Sequence, residues 1–103
     1  MSNRSKACDI TPKVRAEVYK RDGYKCVICG SCYMLTVAHL IGRAQGGLAI
    51  KENLVTLEMS LHQEADNGKN TKEVKKKMRD YLENLYPGFT DEQRKYNKWR
   101  SEK

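Results

Sequence analysis

The chain has 103 residues, enough for one domain, and its 39% apolar against 32% charged residues describe a thin core with polar arms. A formal charge of +7, from 20 Lys and Arg against 13 Asp and Glu, either solubilises the surface or attracts a polyanion. No apolar run reaches the ~20 residues of a membrane span, and "MSNRSKACDI" lacks the apolar stretch of a secretory signal; a cytosolic setting, a host cell's included, is expected.

"SNRSKACDI" reads as a polar N-terminal arm. "TPKVRAEVYKRDG" then predicts a helix: Thr11 is the N-cap, Pro12 takes the first helical position, and Asp22-Gly23 is the stop. Val14 and Val18 give it a narrow apolar face. "YKCVICGSCYM" is too rich in Cys and Gly for a long regular element and reads as a knuckle-like turn. The four cysteines stand at 8, 26, 29 and 32. In a reducing cytosol, Cys26 and Cys29 read as half of a structural zinc knuckle rather than as a disulfide. Such a site needs four ligands, and the chain has no second CxxC.

Residues 35–41, "LTVAHLI", are apolar and β-branched and predict a strand. "GRAQGGLAIKE" is a loop, and "NLVTL" (53–57) a second short strand, so the pair forms a long-looped hairpin. "MSLHQEAD" turns helical, with Ser60 and Gln63 spaced as a capping box and Asn67-Gly68 as its end. Asn70 and Glu73 open the next helix, where Val74, Met78, Tyr81, Leu82 and Leu85 form one apolar stripe. Five basic residues between Lys72 and Arg79 occupy its other face, and Pro87-Gly88 stops it. "TDEQRKYNKWRSEK" predicts a short terminal helix, with Tyr96 and Trp99 packed back on the domain. The expected fold class is a small α+β domain spanning 1–103.

The chain has two histidines, His39 and His62. A histidine closing an apolar strand is either a satisfied core residue or a reactive one. Asn53 lies fourteen residues after His39 and nine before His62. This order resembles the HNH endonuclease family, the ββα-metal or His-Me finger nucleases, in particular its small phage and prophage members. "VRAEVYKRDGYKCVICG" before His39, "GRAQGG" after it, "ENLVTL" around Asn53 and "HQEADNG" around His62 carry the resemblance. It spans about residues 11–68, and the tail "YLENLYPGF…YNKW" extends it as helices over about 70–100.

The resemblance implies a ββα-metal core, a two-stranded hairpin plus a helix, flanked by an N-terminal helix and C-terminal helices. It implies phosphodiester hydrolysis on DNA, with His39, Asn53 and His62 as the catalytic set. His39 matches the general base, the side chain suited to take a proton near neutral pH. His62 matches the metal-binding histidine for a divalent ion (Mn, Ni, Co or Mg). Asn53 matches the residue that brace the loop; read by itself, it is a strand-opening Asn with a local turn bond.

Two departures stand out. Ala38 occupies the position where many members carry Asp or His as a second metal ligand. Asp66, one helical turn after His62, is the candidate to complete the metal site; its other reading is a solvated or helix-capping acid. The family's second CxxC falls on Glu58 and Leu61. Cys26 and Cys29 then hold zinc only if Cys32 and Cys8 substitute; otherwise Leu61 packs in the gap and the cysteines are free thiols. Arg43 either clamps a scissile phosphate or is an ordinary loop arginine. Lys72, Lys75 and Lys76 are expected along the DNA backbone. The leading expectation is a metal-dependent DNA endonuclease or nickase. The alternative is a catalytically reduced nucleic-acid-binding module or a phage packaging accessory protein.

Overall fold

A computed structural model describes residues 7–96. In chain order the elements are α1 (Pro12–Arg21), β1 (Leu35–His39), β2 (Leu54–Glu58), α2 (Met59–Asn67) and α3 (Thr71–Leu85). Short 3-10 turns cover Arg43–Gln45, Lys51–Asn53 and Glu92–Arg94. The result is a small α+β fold of ββα type, with the hairpin at its centre. No helix among the described residues is long and apolar enough to cross a membrane.

α1 starts and stops where its sequence marks it. Thr11 Oγ1 accepts from the Val14 amide at 3.2 Å, Pro12 fills the first turn, and Gly23 takes φ 71° just past Asp22. Asp22 does more than end the helix. Its fully buried carboxylate accepts from Arg21, from the Thr56 amide at 2.9 Å and from Tyr81 Oη at 2.6 Å. Burial, then Asp22, pushes the Tyr81 pKa up to about 12. One acid therefore joins α1, β2 and α3.

β1 and β2 are antiparallel, in a register running from Leu35 opposite Glu58 to His39 opposite Leu54. Residues facing each other across the ladder share a face. Ala38, Val55 and Leu57 lie on one face with Ala65 of α2, Val74, Met78 and Leu82 of α3, and Cys26. Val37 and Leu54 lie on the other with Val18 of α1, Ala49 and Ile10. The hairpin thus separates two apolar clusters, each covered by helix.

Several expectations need correction. β1 stops at His39 rather than Ile41, because the Asn53 amide bonds to Ile50 O instead of continuing the ladder. Asn53 belongs to the turn before β2, which runs one residue later than expected. Glu58, not Ser60, caps α2: its carboxylate accepts the Ser60 hydroxyl at 2.6 Å and the Ser60 amide at 2.7 Å, and these bonds hold its pKa below the usual carboxylate range. Leu85 is exposed at the end of the α3 stripe.

Within the described part of the expected terminal helix, the Glu92–Arg94 turn and a bridge between Lys95 and Gly47 stand instead; residues 97–103 lie outside the described residues. The cause is Arg94, wholly buried, whose Nε donates to Glu52 O at 2.8 Å while its own carbonyl accepts from Leu48 N at 2.8 Å. Gly47 is required in the loop, since a Cβ there would collide with the Ile41 carbonyl. Trp99 lies outside the described residues. The N-terminal arm is not free of the domain: Ile10 packs on the second cluster and Ala7 O accepts from Ala49 N at 2.9 Å.

Candidate active site

A cleft of about 1100 Å³ follows the outer edge of β1 and takes in residues from both faces of the hairpin. His39, Asp9 and Arg15 enter it from the α1 side; His62, Asp66, Lys75 and Arg79 enter it from α2 and α3. Arg43 lies at the start of the loop after β1. The strand end therefore places His39 where two layers meet.

His39 is 9% exposed and its Nε2 lies 3.2 Å from the Cys8 carbonyl oxygen. A carbonyl only accepts, so Nε2 carries the hydrogen and Nδ1 keeps its lone pair. Burial lowers the His39 pKa from the usual imidazole value; Arg43, Lys75 and His62 lower it further, against the opposing bond to Cys8. The ring is thus neutral at pH 7. A neutral imidazole with one fixed N–H is the state a general base needs.

The tautomer of His62 is set in the same way. Thr36 Oγ1 gives its one hydrogen to Leu57 O at 2.9 Å, so at 2.8 Å it accepts from His62 Nδ1. His62 Nε2 is left 3.5 Å from Asp66 Oδ2, one turn along α2. The two acceptors face each other, an arrangement suited to a cation between them. Imidazole and carboxylate are both ligands for first-row divalent ions. Among the described residues, however, no group of three or more His, Cys, Asp or Glu gathers to hold a metal. Ala38 adds nothing, being 1% exposed in the core beside Val55.

Asn53 does not face the cleft. It is fully buried, with Oδ1 accepting from Ile41 N at 2.8 Å and Nδ2 donating to Ile41 O at 3.1 Å and Leu48 O at 2.9 Å. It braces both ends of the loop behind His39, so its placement is that of a positioning residue rather than a group that meets substrate.

Arg43 Nη1 donates to Cys8 O at 2.9 Å and Nη2 pairs with the Asp9 carboxylate. Lys75, expected on an open basic face, is half-buried with Nζ 2.8 Å from both His39 O and Leu40 O. Lys72 and Lys76 are exposed and stand outside the cleft. Arg15 and Asp9 are cleft residues that the sequence does not single out, Arg15 having no local signal beyond its charge and Asp9 lying in a polar arm; Cys8, weighed there only as a substitute zinc ligand, meets His39 through its backbone carbonyl.

Among the described residues no three cysteines gather in one place. Cys26 is buried and Cys29 exposed; the Cys29 amide donates to Cys26 Sγ at 3.4 Å. Burial opposes ionisation of Cys26, but amides of Cys29, Glu58 and Ile28 outweigh it and lower its pKa below the usual thiol value. Leu61 packs against the cluster that contains Cys26, while Cys8 lies at His39.

No protein-family model and no curated protein matches the chain. Among solved structures, the fold is similar to part of the Type IV phosphorothioation-dependent restriction endonuclease ScoMcrA, with a TM-score of 0.61 and 20% identity. The likeness covers 75% of this chain but 17% of that one.

Proposed function

We propose that the chain is a metal-dependent DNA endonuclease or nickase of the HNH, or ββα-metal, type, of the small phage or prophage class and acting in the cytoplasm. The observation that carries this reading is His39: a neutral imidazole with Nε2–H tied to Cys8 O, in one cleft with His62 and Asp66. The fold shared with part of a restriction endonuclease supports it.

In this mechanism a water attacks the scissile phosphorus as its proton passes to His39 Nδ1. The bond from phosphorus to the 3′ oxygen breaks, its electron pair stays on that oxygen, and solvent supplies the proton of the 3′-hydroxyl. A 5′-phosphate remains. Arg43 adds positive charge beside the phosphate, and Asn53 holds the loop that carries it. His62 Nε2 and Asp66 are the groups that would hold a divalent ion, Mn, Ni, Co or Mg, whose chemistry when bound is charge stabilisation on the phosphate and leaving oxygen.

One feature favours a second reading, a nucleic-acid-binding module or phage packaging accessory that does not cut. Two candidate ligands meet in the cleft, and Ala38 offers no third. Incubating supercoiled plasmid with the protein and each of Mg²⁺, Mn²⁺, Co²⁺ and Ni²⁺ separates the two. Nicked or linear product supports the nuclease. Retained DNA binding without any conversion establishes the binding module instead.

A further inference from the structure

β1 ends where its ladder fails. Leu40 N donates to Asn53 O at 2.8 Å, but Asn53 N turns away to Ile50 O at 2.9 Å. The reciprocal bond of this antiparallel pair is therefore unmade, and Leu40 O has no strand partner. His39, one residue earlier, falls in the alternate pair type, so its carbonyl points to the outer edge of the two-stranded sheet. Carbonyls left without donors in a half-buried place are unfavourable.

One cation satisfies both. Lys75 Nζ donates to His39 O and to Leu40 O, each at 2.8 Å. The loop end of the hairpin is gripped on its β2 side in the same manner. Arg21 of α1 donates through Nη1 to Lys51 O at 2.6 Å and through Nη2 to Leu54 O at 2.7 Å. Charge-assisted bonds of this kind are stronger and shorter than neutral ones. Lys75 comes from α3, beyond the 11–68 stretch that carries the family resemblance, yet it lines the cleft beside His39.

We propose that Lys75 is a positioning residue for His39: its ammonium holds the last carbonyls of β1 and thereby fixes where the imidazole stands in the cleft. The inference rests on the reading of His39 as the general base. Two of the three ammonium N–H groups are committed to carbonyls, which sets Lys75 apart from a lysine that merely attracts phosphate. It also explains why a lysine is half-buried on a helix whose neighbouring Lys72 and Lys76 are exposed.

The test uses the full chain with Lys75→Met, which keeps the length and removes the donors, and Lys75→Arg, whose fork can reach two carbonyls. Plasmid cleavage, DNA binding, thermal melting and amide exchange at Leu40 and Ile41 are measured for each. Lys75→Met is expected to lower kcat about 100-fold, the scale of a small misplacement of a reacting group. KM should change less than about threefold, and Lys75→Arg should recover about tenfold of the loss. Exchange at Leu40 and Ile41 should quicken in Lys75→Met and not in Lys75→Arg. If Lys75→Met does not fold, Lys75→Gln is measured in its place, with a smaller loss of kcat expected.

Wild-type kcat in the Met variant overturns the proposal, as does a defect confined to KM, which makes Lys75 a phosphate contact. A kcat loss that Lys75→Arg fails to recover overturns it too. The exchange measurement needs no cleavage. If the wild-type chain cuts no DNA, the nuclease reading fails; quicker exchange still supports the pin on β1, and unchanged exchange rejects it.

Discussion

His39 Nε2–H donates to the carbonyl oxygen of Cys8 at 3.2 Å, joining a strand end to a segment 31 residues earlier. The bond selects which ring nitrogen is basic. It also sets His39 apart from a core histidine, because the other nitrogen keeps its lone pair in a residue that lines the cleft.

The first prediction is the consequence of losing that nitrogen. His39→Ala should lower the cleavage rate by 10²–10⁴, the usual contribution of a general base, while DNA affinity is retained. His62→Ala should lower metal affinity as well as rate, with partial rescue at high metal concentration. Rates measured across a metal titration, with melting temperatures alongside, distinguish the two. A His39→Ala protein that cuts at the wild-type rate returns His39 to the core.

pH dependence follows from the direction of the His39 shift. Its folded pKa is lowered from 6.5, by burial first and by the charges of Arg43 and Lys75, with the Cys8 bond opposing. As pH falls below about 6.5 the unfolded chain takes up a proton that the folded chain resists. This contribution to stability is whole above that pH and declines as pH drops toward the folded pKa. Melting temperatures from pH 8 to pH 5 should fall more steeply for wild type than for His39→Ala. Parallel curves would contradict the assignment.

Asn53→Ala removes the acceptor of the Ile41 amide and the donor to two carbonyls, all in a fully buried place. Orphaned buried groups cost about 1–3 kcal/mol each, so a loss of at least about 2 kcal/mol in unfolding free energy is expected. Asn53→Asp keeps the acceptor but sets a carboxylate oxygen against the Ile41 and Leu48 carbonyls in a buried place, so it should lose at least as much. Denaturant titration checks both, and a near-neutral Asn53→Ala would show that the loop is held elsewhere.

Metal preference tests the His62–Asp66 pair. An imidazole ligand suits Mn²⁺, Co²⁺ and Ni²⁺ better than Mg²⁺, which favours oxygen. Cleavage at equal concentrations should be faster with the first three. Strong activity in Mg²⁺ and none in Mn²⁺ would point to a different ligand set.

Under the proposed function, Lys72 and Lys76, among the exposed basic residues of α3, are expected to follow the DNA backbone. Changing both to Glu should weaken binding to any sequence, with the salt slope reduced by about 2 if each neutralises one phosphate. Fluorescence anisotropy at several salt concentrations measures the slope. An unchanged slope moves the DNA surface to the cleft cations Arg15 and Arg79.

The order of elements was legible in the sequence because its signals are local. Thr11, Pro12 and Gly23 bound a helix through their own backbone chemistry, and Val74, Met78 and Leu82 mark a buried face by spacing alone. His39, His62, Asp66 and Arg43, singled out by order and spacing, do line one cleft. What the sequence left open was decided by partners far along the chain. Glu58 displaced Ser60 as the cap of α2, and Arg94 drew residues 92–95 into a turn and a bridge where a helix was expected. Asp22 became a buried junction, and Lys75 turned from the basic face of α3 to hold β1. The acceptors that fix His39, Arg43 and Lys75 include the carbonyls of Cys8, His39 and Leu40. Every residue has a carbonyl, so no residue type announces which ones will lack a partner; only the folded path of the backbone decides that.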